Sequence, residues 1–216
     1  MKIPKNKALS FKEQHKLSMQ QHQFVDAMAD ANIPVAYWML PMSSFAGSED
    51  IKRTVYSYVA DLKQNYNDGK GFIFAGPYGV GKTYGMCSVL KTSLRSGFSA
   101  YYTSITDMSL YVGSRATRDD YLRLCTKSDF LAFDELDSRH IPTSDEGRAF
   151  FGSAVEKIIR ERVQNKLPTL FATNHESLKP VFDGQYGRAI LSLLAPVSKT
   201  VTALGLDFRQ GRGKQV

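Results

Sequence analysis

"GPYGVGKT", residues 76–83, decides how the rest of this chain is read. Glycines at 76, 79 and 81 let the backbone curl, so that successive N–H groups turn inward and form a concave receptor for an anion. The spacing Gly76-x-x-x-x-Gly81-Lys82-Thr83 is that of a phosphate-binding loop, in which the lysine reaches the β- and γ-phosphates and the threonine hydroxyl ligates Mg²⁺. The flanks have the order such a loop needs. "GFIFA" before it is a short apolar run of strand length, and "KTYGMCSVLKTSLRSG" after it reads as a helix that closes on Gly97. A strand entering and a helix leaving aims the positive end of the helix at the bound anion.

A nucleotide site of this kind also needs an acid at the end of a neighbouring strand. "FLAFDEL" supplies it, placing Asp134 at the carboxyl end of an apolar run, where ligands bind in open α/β sheets. Asp134 is the candidate metal carboxylate, and Glu135 beside it the candidate base for an attacking water. A further strand, "PTLFATN", ends in Asn174, a polar side chain within reach of the γ-phosphate region. Between these, helical and strand patterns alternate through "YGRAILSLLAP" and a last strand in "SKTVTALGLDF". Alternation of this kind predicts a parallel sheet covered by helices on both faces.

The bulk properties agree with a folded domain. The chain has 216 residues, 43% hydrophobic and 23% charged, near the values of ordinary globular proteins. No apolar run approaches the ~20 residues that span a bilayer, and the basic N-terminus lacks the apolar segment of a secretion signal. A cytoplasmic protein is expected, with Cys87 and Cys125 as reduced thiols. The formal net charge of +7 gathers at the two ends. Lys2, Lys5, Lys7, Lys12 and Lys16 face Glu13 in the first twenty residues, and Arg209, Arg212 and Lys214 face Asp207 near the end. A basic balance is compatible with a polyanionic partner.

Residues 8–31 predict a helix opened by the Ser10/Glu13 capping-box spacing and closed by Asn32 and Pro34. Leu17, Phe24 and Met28 fall on one face, whose upper half is polar, so the helix is expected to bury itself poorly on its own body and to offer those three as anchors for a partner. His15 and His22 have no companion ligands, and no zinc site is expected. Residues 1–48 are taken as this helical extension and its connector, and residues 49–216 as the sheet domain.

The phosphate loop, the Asp-Glu strand and the Asn-tipped strand, in that order, resemble the AAA+ ATPases. "NIPVAYWMLPMSSF", "GPYGVGKTY", "FLAFDELDS", "VQNKLPTLFATNHE", "YGRAILSLL" and "VTALGLDFR" are similar to segments of one branch: the bacterial replicative helicase loaders of the DnaC and DnaI type, with their relative the transposition helper IstB. The resemblance covers roughly residues 33–209. It implies a three-layer P-loop NTPase (AAA+) fold with a reduced or absent lid and a short helical N-terminal extension.

It further implies an ATPase that takes ATP and Mg²⁺. Gly76, Pro77, Tyr78, Gly79, Val80, Gly81, Lys82, Thr83, Tyr84 and Asp134 would bind the nucleotide, with Thr83 and Asp134 on the metal. Glu135 would act as catalytic base, Asn174 as sensor and Arg188 as an arginine finger given to a neighbouring subunit. The family often carries a second arginine four residues after that position, where Ser192 stands here. Arg209 matches a late sensor arginine or belongs to the basic tail.

The family's subunits assemble with copies of themselves, as a ring, spiral or filament, around single-stranded DNA. Ser114, Arg115, Arg118 and Tyr121, with Ser138, Arg139 and His140 of a second loop, offer the guanidinium, hydroxyl and aromatic groups such a strand needs. The resemblance implies a loader that places a replicative helicase on DNA in a bacterial or phage-infected cell. Two alternatives share the motifs: an IstB- or TnsC-like transposition regulator polymerising on duplex DNA, and a non-catalytic nucleotide switch.

Overall fold

A computed structural model of the chain describes residues 11–137, 144–182, 184–205 and 207–208, with side chains from residue 21 onward except 145 and 184–186. Five strands form one parallel sheet: β1 (Gly71–Ala75), β2 (Ala100–Ser104), β3 (Phe130–Leu136), β4 (Thr169–Thr173) and β5 (Ser198–Thr202), in the spatial order β2-β3-β4-β1-β5. Parallel neighbours require long crossovers, and helices supply them. Helix α4 (Lys82–Arg95) links β1 to β2, and α5 (Ile105–Gly113) and α6 (Arg115–Lys127) link β2 to β3. Helix α7 (Asp145–Gln164) leads to β4 and α8 (Gly184–Leu194) to β5. Ahead of the sheet come α1 (Phe11–Asp30), two 3-10 turns (Val35–Tyr37 and Met42–Ser44), α2 (Glu49–Ala60) and α3 (Leu62–Asn67).

The strand period of two sorts the core into two layers. Phe72, Phe74, Tyr102, Phe130 and Ala132 face α1, α2 and α4. Ile73, Tyr101, Leu131, Phe133 and Phe171 face the layer of α5, α6, α7 and α8. The five phenylalanines among these are buried, each worth about 1.5–3 kcal/mol of transfer free energy. This is the expected three-layer α/β sandwich, and the strand ends carrying the candidate acids lie along one edge of it.

Arg162 of α7 holds the opposite edge. Its side chain is fully buried and donates to Thr169 Oγ1 (2.9 Å) and to the carbonyls of Cys125 (2.8 Å), Ser128 (2.8 Å), Asp129 (3.2 Å) and Pro168 (2.7 Å). One guanidinium thus ties the end of α6 to the starts of β3 and β4. Desolvation lowers its pKa to about 10, which leaves it charged at neutral pH.

Helices α2 and α3 meet at Asp61 (φ −106°, ψ 27°); Ile51, Val55, Tyr58 and Leu62 are buried, Val59 packs against the same core, and the Tyr58 hydroxyl donates to the Lys70 carbonyl at 2.6 Å. The structure corrects two local expectations. The Arg115–Tyr121 stretch, read as a loop, is the first half of α6. The last strand stops at Thr202, because β1, its partner, ends at Ala75.

The N-terminal helix is a larger correction. Met28, Ala31 and Ile33 are buried in the same core as α4, and Phe24 packs against it beneath the Arg95 guanidinium, 4.5 Å from the ring centre. Met28 is therefore a core residue and Phe24 a half-covered one; the Leu17 side chain lies outside the described residues. Helix α1 closes on Asn32 at φ 53°, and the chain there covers the free edge of β2. The Tyr102 N–H donates to the Ala31 carbonyl at 2.8 Å, and the Asn32 side-chain amide donates to the Tyr102 carbonyl at 3.0 Å. Among the described residues, no helix is long and apolar enough to cross a membrane.

Candidate nucleotide-binding site

The loop between β1 and α4 curls as its glycines allow. Gly76 sits at φ 145°, and a Cβ there would lie 2.3 Å from the Ala203 carbonyl. Gly81, at φ 95°, has the Phe45 ring against it, and a Cβ would meet that ring at 2.7 Å. Both positions admit glycine for conformational and steric reasons together. Lys82 is buried at the first turn of α4, and its ammonium donates to the Gly76 carbonyl at 2.8 Å and the Pro77 carbonyl at 2.6 Å. The loop is further fastened by the Ser48 N–H, which donates to the Val80 carbonyl at 2.9 Å.

The acids arrive by a backbone irregularity. In an unbroken strand, consecutive side chains point to opposite faces. Here the register between β3 and β4 shifts between Phe133 and Leu136, and Glu135 adopts φ 54°. This bulge lets Asp134, buried on the α4 face, and Glu135, exposed, line the same cavity.

Asp134 is closely held. Its Oδ2 accepts from the Thr83 hydroxyl at 2.6 Å and from the Tyr102 hydroxyl at 2.8 Å, and its Oδ1 accepts from the Glu135 N–H at 2.7 Å. Burial, followed by the Asp134 charge, pushes the Tyr102 phenol far above its ordinary pKa, so it stays a donor.

The cavity has a volume of about 260 Å³. Lys82, Thr83, Asp134, Glu135 and Asn174 give its polar wall, while Tyr37, Leu40, Tyr84 and Phe208 give an apolar one. Lys91 sets that second wall. It is buried in α4 and donates to the carbonyls of Tyr37 (2.6 Å) and Leu40 (2.5 Å), and the Tyr84 hydroxyl donates to the Pro41 carbonyl at 2.6 Å. The connector is thereby drawn over the loop. Neither Lys91 nor Tyr102 stands out in the sequence, since each looks like one more residue of its element. Period-two counting along β2 and β3 does put Tyr102 and Asp134 on one face.

A metal ion fits the donor set. Thr83 Oγ1 and the Asp134 carboxylate are hard oxygens brought together beside the loop, the ligand type that suits Mg²⁺. A phosphate chain fits the rest, with the loop and the first turn of α4 to receive it and Lys82 to neutralise it. Tyr78, half exposed, lines the cavity and donates to Asp137 Oδ2 at 3.3 Å.

The remaining candidate residues lie elsewhere. Arg188 is exposed on α8 and does not line the cavity. Ser114 and Arg115 are at the start of α6, Arg115 exposed. Arg118 is partly engaged, its Nε donating to the Val112 carbonyl at 2.8 Å and its guanidinium lying 5.0 Å from the Phe150 ring centre. Tyr121 corrects the expectation of an exposed stacking ring: it is 3% exposed, with its hydroxyl 2.9 Å from Thr103 Oγ1. Tyr111, stacked on it at 5.3 Å, is the exposed ring of that pair. Ser138, Arg139, His140 and Arg209 lie outside the described residues.

Neither a family model nor a curated protein sequence matches the chain. Solved structures do. The crystal structure of DnaI aligns at TM-score 0.65 and 17% identity, over 81% of this chain and 93% of that one. The DnaC helicase loader aligns at TM-score 0.64 and 20% identity, over 79% of this chain and all of that one. The replication initiator DnaA, solved with AMPPCP and single-stranded DNA, aligns at 0.59 and 15% identity, over 78% of this chain and 50% of that one. At these identities the likeness is one of fold.

Proposed function

We propose that this chain, whose fold is similar to those of DnaI and the DnaC helicase loader, is an ATP-binding and ATP-hydrolysing loader that assembles with copies of itself, engages single-stranded DNA and places a replicative helicase on it. The observation that carries this reading is the meeting of Lys82, Thr83, Asp134, Glu135 and Asn174 around one cavity at the strand ends. A loader-like fold with an intact constellation of this kind has the parts for nucleotide turnover.

Lys82 binds and neutralises the terminal phosphates, once its ammonium leaves the loop carbonyls for them. Thr83 and Asp134 would hold Mg²⁺, which would supply positive charge to offset that of the phosphates. Glu135 takes the proton from an attacking water, and Asn174 orients that water or the γ-phosphate. Arg188, exposed on α8, supplies a neighbouring subunit's site with a cation, so that turnover depends on assembly. Residues 49–216 carry the phosphate-binding and catalytic residues, and residues 1–48 the partner-binding part, whose connector also lines the nucleotide cavity through Tyr37 and Leu40. Because Met28 is occupied in the core, the anchors for a partner fall to Leu17 and the uncovered side of Phe24. Arg115 is the leading DNA contact.

The test uses the full chain. Mixed with a hexameric replicative helicase, a transposase, and single- or double-stranded DNA, with and without ATP, it is expected to co-purify with the helicase and to prefer single strands. Capture of the transposase with a preference for duplex DNA would replace the loader by the transposition regulator. ATP binding without turnover, in the presence of DNA, would leave a nucleotide switch.

A further inference from the structure

The end of helix α1 and the Asp134 carboxylate are joined through one residue. Tyr102 lies in β2, an edge strand, and both of its backbone polar groups are taken by the two residues that follow α1: its N–H donates to the Ala31 carbonyl at 2.8 Å, and its carbonyl accepts from Asn32 Nδ2 at 3.0 Å. Its phenol, on the same rigid ring, donates at 2.8 Å to Asp134 Oδ2, the oxygen that also accepts from Thr83 at 2.6 Å. The α1 end is itself fixed. Asn32 sits in the left-handed region at φ 53°, and the Trp38 indole donates to the Ile33 carbonyl at 2.6 Å. A displacement of residues 31–32 therefore moves Tyr102, and a displacement of Tyr102 changes which way Asp134 points.

We propose that Tyr102 is a positioning residue that transmits the placement of the α1 end to the Asp134 carboxylate and so sets the Mg²⁺ response of the nucleotide site. This rests on the nucleotide reading above and names a regulation of that same site. Hydrogen bonds to a metal-binding carboxylate orient it, and losing one typically costs about 10–100-fold in metal affinity. Coupling of this kind is reciprocal: a load on α1 alters the site, and filling the site alters α1.

Binding of a fluorescent ATP analogue, titrated at a series of Mg²⁺ concentrations, tests this without relying on turnover. Tyr102→Phe keeps the ring and removes the hydroxyl. Its Mg²⁺ midpoint is expected to rise about tenfold, with Mg²⁺-free affinity and melting temperature near wild type. Asn32→Gly keeps the left-handed backbone and removes the amide donor; it is expected to shift the midpoint the same way by a smaller factor. In the Tyr102→Phe background, Asn32→Gly is expected to add no further shift. Additive shifts would overturn the route through Tyr102. A wild type that responds to Mg²⁺ while Tyr102→Phe responds identically would overturn this proposal and leave the nucleotide site standing. A wild type that binds no nucleotide under any condition would overturn both. Slower hydrogen exchange at the Tyr102 amide on adding Mg²⁺ and ATP would support the reciprocal limb, and unchanged exchange would count against it.

Discussion

The Thr83 hydroxyl donates to Asp134 Oδ2 at 2.6 Å, joining the first turn of α4 to the end of β3. In the proposed reading, the two oxygens that would ligate one cation are in this way placed by two different elements. Thr83→Val has nearly the same shape but cannot ligate. It is expected to fold, to bind ATP without Mg²⁺ as wild type does, and to lose at least about tenfold of the Mg²⁺-dependent gain in affinity, the cost of removing an interaction with a charged group. Titration of a fluorescent nucleotide with and without Mg²⁺ checks this, and an unchanged gain would remove Thr83 from the metal.

Glu135 faces the cavity from a bulge and ligates nothing there that its amide analogue could not imitate in size. Glu135→Gln should lower ATP turnover by about 10²- to 10⁴-fold, the usual worth of a general base. ATP affinity should stay within about twofold of wild type. Phosphate release beside equilibrium binding separates the two, and a variant that still turns over would move the base elsewhere.

Arg162 donates to five acceptors without a carboxylate among them. Arg162→Met fills much of the volume but strands those carbonyls in a dry site. A loss of about 3–5 kcal/mol is expected, or roughly 10 °C in melting temperature for a chain of this size. Calorimetry measures it, and a drop of about 2 °C or less would mean that water re-enters and satisfies the carbonyls.

Arg115 is exposed at the start of α6, while Arg118 is already engaged by Val112 and Phe150. The two should differ as DNA ligands. Arg115→Ala is expected to flatten the slope of log affinity against log salt by about 0.7 for single strands, one phosphate contact's worth. Arg118→Ala should change it less. Equal slopes in wild type and both variants would place the DNA path on another face.

Asp129 predicts an acid limit to stability. Desolvation raises its pKa, but the Ser99 N–H and hydroxyl, the Tyr66 hydroxyl and the Arg162 charge outweigh that and lower it overall. A carboxyl whose folded pKa is depressed binds its proton more readily in the unfolded chain. Its stabilisation is thus fully present above the unfolded value near 3.9 and is lost as pH falls below about 4. Asp129→Asn should show a shallower fall in melting temperature between about pH 5 and pH 3. Parallel curves would assign the acid limit to other carboxylates.

The fold and the polar wall of the site follow from short-range pattern. A strand of five apolar residues, a glycine-rich loop and a lysine at a helix start are contiguous, and the Asp-Glu pair sits at the end of an apolar run. What contiguity cannot reveal is partnership across the sheet. Tyr121 reads as an exposed aromatic beside arginines, yet the helical phase of α6 turns it toward Thr103. Met28 reads as a free anchor, because nothing in its own helix says that α4 will cover it. The Tyr102–Asp134 and Lys91–connector contacts link residues far apart in sequence; strand periodicity puts Tyr102 and Asp134 on one face but does not say that their strands are neighbours. The backbone turn at Glu135 is hidden for a related reason: a bulge changes direction without changing composition.

Because Ala31 and Asn32 occupy the outer rim of β2, the leading segment cannot be handled as an interchangeable cassette. A chain begun at residue 49 would bare the N–H and carbonyl of Tyr102 together with the patch vacated by Met28 and Ile33, an invitation to strand addition between molecules. Grafting another protein's leader onto this sheet would succeed only if the graft also restored that seal. Under the proposed partner-binding role of α1, a change of partner is therefore more readily made by repainting its outward side than by replacing it.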